Sequence, residues 1–201
     1  MLLAVGRRPN TDDLGLETAG IATDALGFIV VDDELRASAP GVWALGDCNG
    51  RGAFTHTAYN DFEIVADNLL AGGARRVSHR IPCYGLFIDP PLGRVGLTES
   101  EARARGHEVR IGVRPMTRVA RARERGETKG FMKVVVDGRT GAILGAAVLG
   151  VGGDEAIHGV IEAMGARVTA NAYAKVVAIH PTVSELLPTT FADLQPSRPL
   201  A

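Results

Sequence analysis

The 201-residue sequence predicts an α/β (α+β) protein in two parts, and three observations carry this. Residues 1–78 read as short apolar strands broken by glycine and proline, followed by one long amphipathic helix. Residues 79–201 read as β-type runs, two of them flanking Asp137-Gly138, followed by three helical patterns. Between these parts the composition turns polar and basic over residues 74–80, where a domain boundary is expected.

The elements follow in order. Residues 2–5 read as a buried strand ended by Gly6 and Pro9. A chain that opens on such a strand, with no lead-in and no cap, reads as one that starts in mid-fold. Residues 28–31 form a strand after the turn at Gly27, and residues 42–45 another between Pro40-Gly41 and Gly46-Asp47. Residues 55–70 have helical periodicity, with Ala58, Phe62, Val65 and Leu69 on one stripe, and Ala71-Gly72-Gly73 ends the helix. Further strands are expected over residues 82–88, 93–97 and 109–113. Thr98-Glu-Ser-Glu101 is a capping-box signature for a short helix ending at Gly106. Residues 131–136 and 142–149 should form a hairpin with a tight Asp137-Gly138 turn. Helices are expected over about 154–165, 169–177 and 181–191, so the second part is a mostly antiparallel sheet with helices to one side. The tail from Gln195 carries two prolines and is expected to be loose.

Composition narrows the function classes. Apolar residues make up 46% and charged residues 22%, as in ordinary soluble proteins, and a net charge of -1 gives no reason to expect nucleic acid or an anionic membrane as partner. The basic run with Arg118, Arg121 and Arg123 is broken by Glu124, which suits a solvated face or a subunit contact. Cys48 and Cys83 are too far apart for a CxxC-type motif and too few for a disulfide scaffold, so a reducing compartment fits. No signal peptide is read at Met1, and no apolar run approaches the ~20 residues of a membrane span, so a cytoplasmic location is expected.

Two strings carry chemistry. In Val42-Trp-Ala-Leu-Gly-Asp47 an apolar strand delivers an aspartate at its carboxyl end, where open α/β sheets bind ligands. A carboxylate there suits a polyol, and eight residues later Thr55 opens a long helix whose first amides carry positive partial charge. A turn in which Asp47 serves its own backbone competes with this reading, and for Gly-Asp alone it is the better one. In His180-Pro-Thr-Val-Ser-Glu185, Pro181 suits a first helical position, which puts His180 just before a helix and Glu185 one turn inside it. A carboxylate beside an imidazole can fix its tautomer for acid/base work. For a lone pair of this kind a structural role is the better reading.

The strings together resemble one family. Ala4-Val-Gly-Arg-Arg-Pro9 is similar to the A-x-G-R-x-P segment of the class I pyridine nucleotide-disulfide oxidoreductases, Val42 to Asp47 to their second FAD motif, and Pro90-Pro-Leu-Gly-Arg-Val-Gly-Leu-Thr-Glu99 to the start of their dimerisation domain. His180 to Glu185 resembles their His-Pro-Thr-x-Ser-Glu motif. Within the family, Thr55-His-Thr-Ala-Tyr-Asn-Asp-Phe62 looks most like the mercuric-reductase-like and RclA-like flavoproteins, relatives of dihydrolipoamide dehydrogenase and glutathione reductase.

This resemblance implies that residues 1–78 are the C-terminal portion of an FAD-binding, Rossmann-like region and residues 79–201 a dimerisation domain. It implies that Asp47, with Gly46, binds the ribitol chain of FAD, and that the amides of Thr55 and His56 face the flavin C2 carbonyl. His180 would be the acid/base beside the redox disulfide of the partner subunit, oriented by Glu185. The intact enzyme would use NAD(P)H and act as a homodimer on a disulfide or other small molecule.

The family's two GxGxxG motifs and its CxxxxC pair do not occur in this sequence. A non-catalytic dimerisation module or a truncated gene product is therefore the alternative. Gly150-Val-Gly-Gly153 is followed by Asp154-Glu155, which would repel phosphate, and reads as a strand-to-helix turn. His79, His107 and His158 lack metal-ligand spacing, so no metal site is expected.

Overall fold

A computed structural model describes residues 1–197. The chain divides into two compact units, Met1–Arg80 and Ile81–Ala201.

The first unit is less regular than its apolar segments suggest. Residues 2–5 form no strand, and Leu2 and Val5 are exposed. A strand needs a neighbour for its N–H and C=O groups, and among the described residues none pairs with this segment. The expected strands over residues 28–31 and 42–45 are reduced to the isolated bridges Thr23 to Ile29, Val31 to Ala37 and Arg36 to Trp43. Turns shape this region: the Asp24 carboxylate accepts from the amides of Leu26 and Phe28, and that of Asp32 from Glu34 and Arg36. Ile29, Val31, Leu35, Ala44 and Ile64 form the core.

The helix α1 spans Thr55–Leu70. Thr57 sets its start, its hydroxyl accepting from the Phe54 amide (3.2 Å) and donating to the Phe54 carbonyl (2.7 Å). The buried face is not the expected one. Asp61 and Ile64 are buried, whereas Phe62 and Leu69 are exposed. The helix keeps its period, but the protein covers a face rotated toward the two residues that meet the 42–49 segment.

The second unit is a six-stranded, wholly antiparallel sheet in the order β1-β2-β5-β4-β3-β6. The strands are β1 Cys83–Leu86, β2 Leu92–Gly96, β3 Val109–Pro115, β4 Phe131–Asp137, β5 Ile143–Leu149 and β6 Gln195–Pro196. The helices are α2 Glu99–Ala104, α3 Ala120–Arg125, α4 Gly153–Ala156, α5 His158–Gly165, α6 Ala170–Tyr173 and α7 Leu187–Ala192. Alternation along β4 assigns the faces. Met132, Val134 and Val136 join Val160, Ala170, Leu187 and Phe191 in the main core, while Val135 packs with Val109 and Ala102 of α2 in a smaller one. Helices therefore cover both faces, contrary to the one-sided arrangement expected, because Val135 needs an apolar partner too.

Several boundaries shift. The β4–β5 connection is a longer loop over residues 138–142, where the Asp137 carboxylate accepts from the Arg139 amide and the Asp137 carbonyl from the Gly141 amide. His107 Nδ1 lies 2.7 Å from Asp137 Oδ2, so this histidine supports the turn. The helix expected over 154–165 is two helices meeting at Ile157. Residues 150–153 form the expected strand-to-helix turn, in which Gly152 adopts φ 63° and a Cβ on Gly153 would collide with the Val148 carbonyl. Gln195–Pro196 is not loose, since it pairs with β3. The last four residues of the predicted tail lie outside the described residues.

Candidate functional site

The two candidate strings lie in different units. In the first unit, residues 46–49 form a 3₁₀ turn directly after the Trp43 bridge, with Gly46 at φ 77°. A Cβ at Gly46 would sit 3.3 Å from that of Ala58, so glycine lets the turn lie close against α1. Asp61 fixes it there. Its Oδ2 accepts from the Gly46 amide (2.9 Å) and from Asn49 Nδ2 (2.8 Å), and its Oδ1 pairs with the Arg80 guanidinium. Asp61 is 2% exposed, so these partners compensate a buried carboxylate.

The Asp47 carboxylate points outward and is half-exposed, 3.0 Å from Arg7 Nη1. Thr55 and His56 occupy the first two positions of the 16-residue α1, where the helix carries positive partial charge, and His56 stacks on Phe54 with ring centroids 5.2 Å apart. Burial pushes the Cys48 thiol up, with the neighbouring Asp61 and Asp47 charges adding to it, which makes this cysteine a poor nucleophile. Cys48 and Cys83 form no disulfide.

In the second unit, His180 Nδ1 lies 2.7 Å from Glu185 Oε2. The imidazole is 74% exposed and the glutamate 9%. The local backbone differs from expectation. Pro181 does not open a helix: residues 180–183 are non-helical, Glu185 lies in a 3₁₀ turn over Ser184–Leu186, and α7 begins at Leu187 with Pro188 in its first turn. Two prolines competed for the N-terminal helical position, and Pro188 holds it. The pair forms all the same, because Thr182 folds the loop back. Its hydroxyl donates to the Ile179 carbonyl (2.7 Å) and its amide to Glu185 Oε2 (3.4 Å). Arg121 of α3 donates through Nε (3.3 Å) and Nη2 (2.8 Å) to the Pro181 carbonyl. Among the described residues no group of three or more His, Cys, Asp or Glu is placed to hold a metal ion.

Sequence reasoning missed Asp61, Asn49 and Arg121. A hint existed for Asp61, an acidic residue one turn from Ala58 and Ile64 on an otherwise apolar face. Arg121 had no local signal, since it sits 60 positions from its acceptor.

The oriented histidine of the second unit, and the turn and helix with an outward aspartate in the first, both fall within segments that family comparison matches. Residues 83–191 match the pyridine nucleotide-disulphide oxidoreductase dimerisation domain, and residues 1–61 match the pyridine nucleotide-disulphide oxidoreductase domain. The chain belongs to the pyridine nucleotide-disulfide oxidoreductase family.

Among its relatives, the probable pyridine nucleotide-disulfide oxidoreductase RclA of Escherichia coli (strain K12) is 39% identical over 194 residues, 96% of this chain and 44% of that protein. Dihydrolipoyl dehydrogenase of Thermus scotoductus is 37% identical over 92% of this chain and 40% of its own. Glutathione reductase of Burkholderia cepacia is 35% identical over 92% and 41%. The solved structure of the HOCl-induced flavoprotein disulfide reductase RclA from Escherichia coli superposes with a TM-score of 0.87 at 38% identity, over 94% of this chain and 44% of that one. LpdA from Mycobacterium tuberculosis gives 0.88 at 28% identity, over 95% and 42%. The chain thus spans about two fifths of the length of the relatives it matches.

Proposed function

We propose that this chain is the C-terminal portion of an FAD-dependent NAD(P)H:disulfide-type oxidoreductase. It would supply a homodimer interface, part of the flavin site and a His-Glu acid/base pair. The observation that carries the reading is the 2.7 Å contact between Glu185 and an imidazole that is otherwise 74% exposed.

With Nδ1 committed to the carboxylate, Nε2 is the nitrogen left to exchange a proton with a substrate. His180 would accept the proton of an attacking thiol at Nε2 and return it to the departing thiolate when the disulfide opens. Glu185 would hold the ring through Nδ1. By family likeness the site served would be that of the partner subunit. The exposed Val176, Val177 and Ile179 just before His180 support a subunit contact there. The reducing, cytoplasmic setting proposed for the protein rests on its cysteine usage.

The residues of the first unit fit one half of an FAD site. Asp47 presents acceptors for ribitol hydroxyls, and the start of α1, with Thr55 and His56, favours negative charge on a ring edge. The Arg7–Asp47 pair is exposed and contributes at most about 1 kcal/mol, so it does not compete strongly with a ligand. Bound flavin would supply the two-electron transfer between pyridine nucleotide and disulfide. With no GxGxxG in this sequence to hold a pyrophosphate, the chain alone should retain little FAD and show no independent activity.

A chimera tests this reading, with this chain replacing the matching portion of Escherichia coli RclA. It should purify yellow and oxidise NAD(P)H, and Asp47→Ala in it should weaken flavin retention by about 1.5–3 kcal/mol per lost charge-assisted hydrogen bond. A folded chimera without flavin contradicts the proposal. Full retention by Asp47→Ala through dilution and gel filtration removes Asp47 from the site.

A further inference from the structure

The His180 ring is three-quarters exposed, so packing does little to hold it. Its placement depends on the backbone of residues 179–182, which three tethers shape. Thr182 Oγ1 to the Ile179 carbonyl and Thr182 N to Glu185 Oε2 lie within the loop's own sequence and move with it. The third tether comes from another element. Both Nε and Nη2 of Arg121 converge on the carbonyl of Pro181, the residue directly after His180.

Such a fork is charge-assisted and fixes direction as well as distance, which a single ammonium does not. Its base is rigid. The flanking residues Val119 and Ala122 are fully buried in the main core of the second unit. Glu124 Oε2 lies 3.4 Å from Arg121 Nε, which steadies the guanidinium further.

We infer that Arg121 is a positioning residue for His180: by gripping the Pro181 carbonyl it ties the histidine loop to the core and keeps Nδ1 on Glu185. The inference rests on the proposed role of His180 as an oriented proton carrier. Arg121 touches no reacting atom and acts through the loop. A plain structural role would change stability alone, whereas a positioning role changes which ring nitrogen carries the proton.

The test is ¹⁵N NMR of the histidine-labelled full chain at a pH where the ring is neutral, with the His180 signals identified by their loss in His180→Ala. The wild-type chain should show His180 protonated on Nδ1, the nitrogen facing the carboxylate. Arg121→Met should convert this to a mixture with substantial Nε2 protonation, while the amide spectrum of the rest of the second unit keeps its dispersion. Arg121→Lys, with charge but no fork, should fall between the two. If Arg121→Met unfolds the chain, Arg121→Lys carries the test with the same expected direction.

An unchanged Nδ1 tautomer in a folded Arg121 variant overturns the inference and leaves the His180–Glu185 reading intact. A wild-type ring that is itself mixed or protonated on Nε2 overturns that reading instead. The two failures are therefore distinguishable.

Discussion

Asp61 organises the first unit from a single buried carboxylate. Its partners Gly46, Asn49 and Arg80 lie 15, 12 and 19 positions away, so one side chain joins the aspartate turn, α1 and the end of the unit. Asp61→Ala would leave the Arg80 guanidinium without its buried counter-charge and the Gly46 amide without its acceptor. A loss of roughly 3–5 kcal/mol is expected, read as a lower urea midpoint for the first unit. A change within a few tenths would mean that the turn is held by other means. The placement of Asp47 in a turn, of Thr55 at the start of α1 and of Glu185 beside His180 was legible in the sequence because each depends on a short string whose chemistry is local. Asp61 and Arg121 were not, because what they touch depends on how distant segments fold back. A linear reading supplies spacing along the chain and no register between elements.

At the scale of elements, α2 shows how a legible signal becomes a load path. Thr98 and Glu101 form the capping box that the sequence predicts: the Thr98 hydroxyl accepts from the Glu101 amide (3.0 Å), and Glu101 accepts from the Thr98 amide (2.7 Å). Glu99 in the same turn then reaches outward. It accepts from Lys133 Nζ of β4 at 2.6 Å, from the Ser197 hydroxyl after β6, and from Arg103 at 3.3 Å. These contacts, the Lys133 hydrogen bond first and that from Ser197 next, hold its carboxyl down to about 2 from an ordinary 4.5. A folded-state value below the unfolded one means stability that is fully present above about 4.5 and lost as pH falls toward 2. Glu99→Gln should therefore flatten the acid limb of the second unit's stability across that window and lower stability at neutral pH. An acid limb identical to wild type would show that Glu99 is not linked to folding.

The extent of α1 was legible because Thr55 and Ala71-Gly72 punctuate it, and the strands of the second unit because alternation there meets real ladder partners. The strands of the first unit failed for the opposite reason. Apolar runs such as residues 2–5 have the composition of strands, but among the described residues they have no neighbour to pair with. The buried face of α1 failed because periodicity sets a helix without saying which stripe meets the core.

The two units carry separate duties in the proposed enzyme. In the proposed reading the first unit would offer half a flavin site, and the second an oriented histidine beside an exposed apolar segment. If the protein works as proposed, hydride entry and disulfide exchange lie on opposite sides of the flavin, and His180 belongs to the disulfide side alone. The central claim is then a division between two half-reactions. Stopped-flow measurement of each half-reaction, in the chimera and its His180→Ala and Glu185→Gln variants, tests it most directly. Reduction of the enzyme by NAD(P)H should be spared in both variants. Exchange with a thiol or disulfide substrate should slow by about 10²–10⁴-fold in His180→Ala, the usual contribution of a positioned acid/base, and by less in Glu185→Gln, which keeps the proton carrier. Equal damage to both half-reactions, or none to the exchange with thiol, would contradict the account and leave His180 and Glu185 as a structural pair.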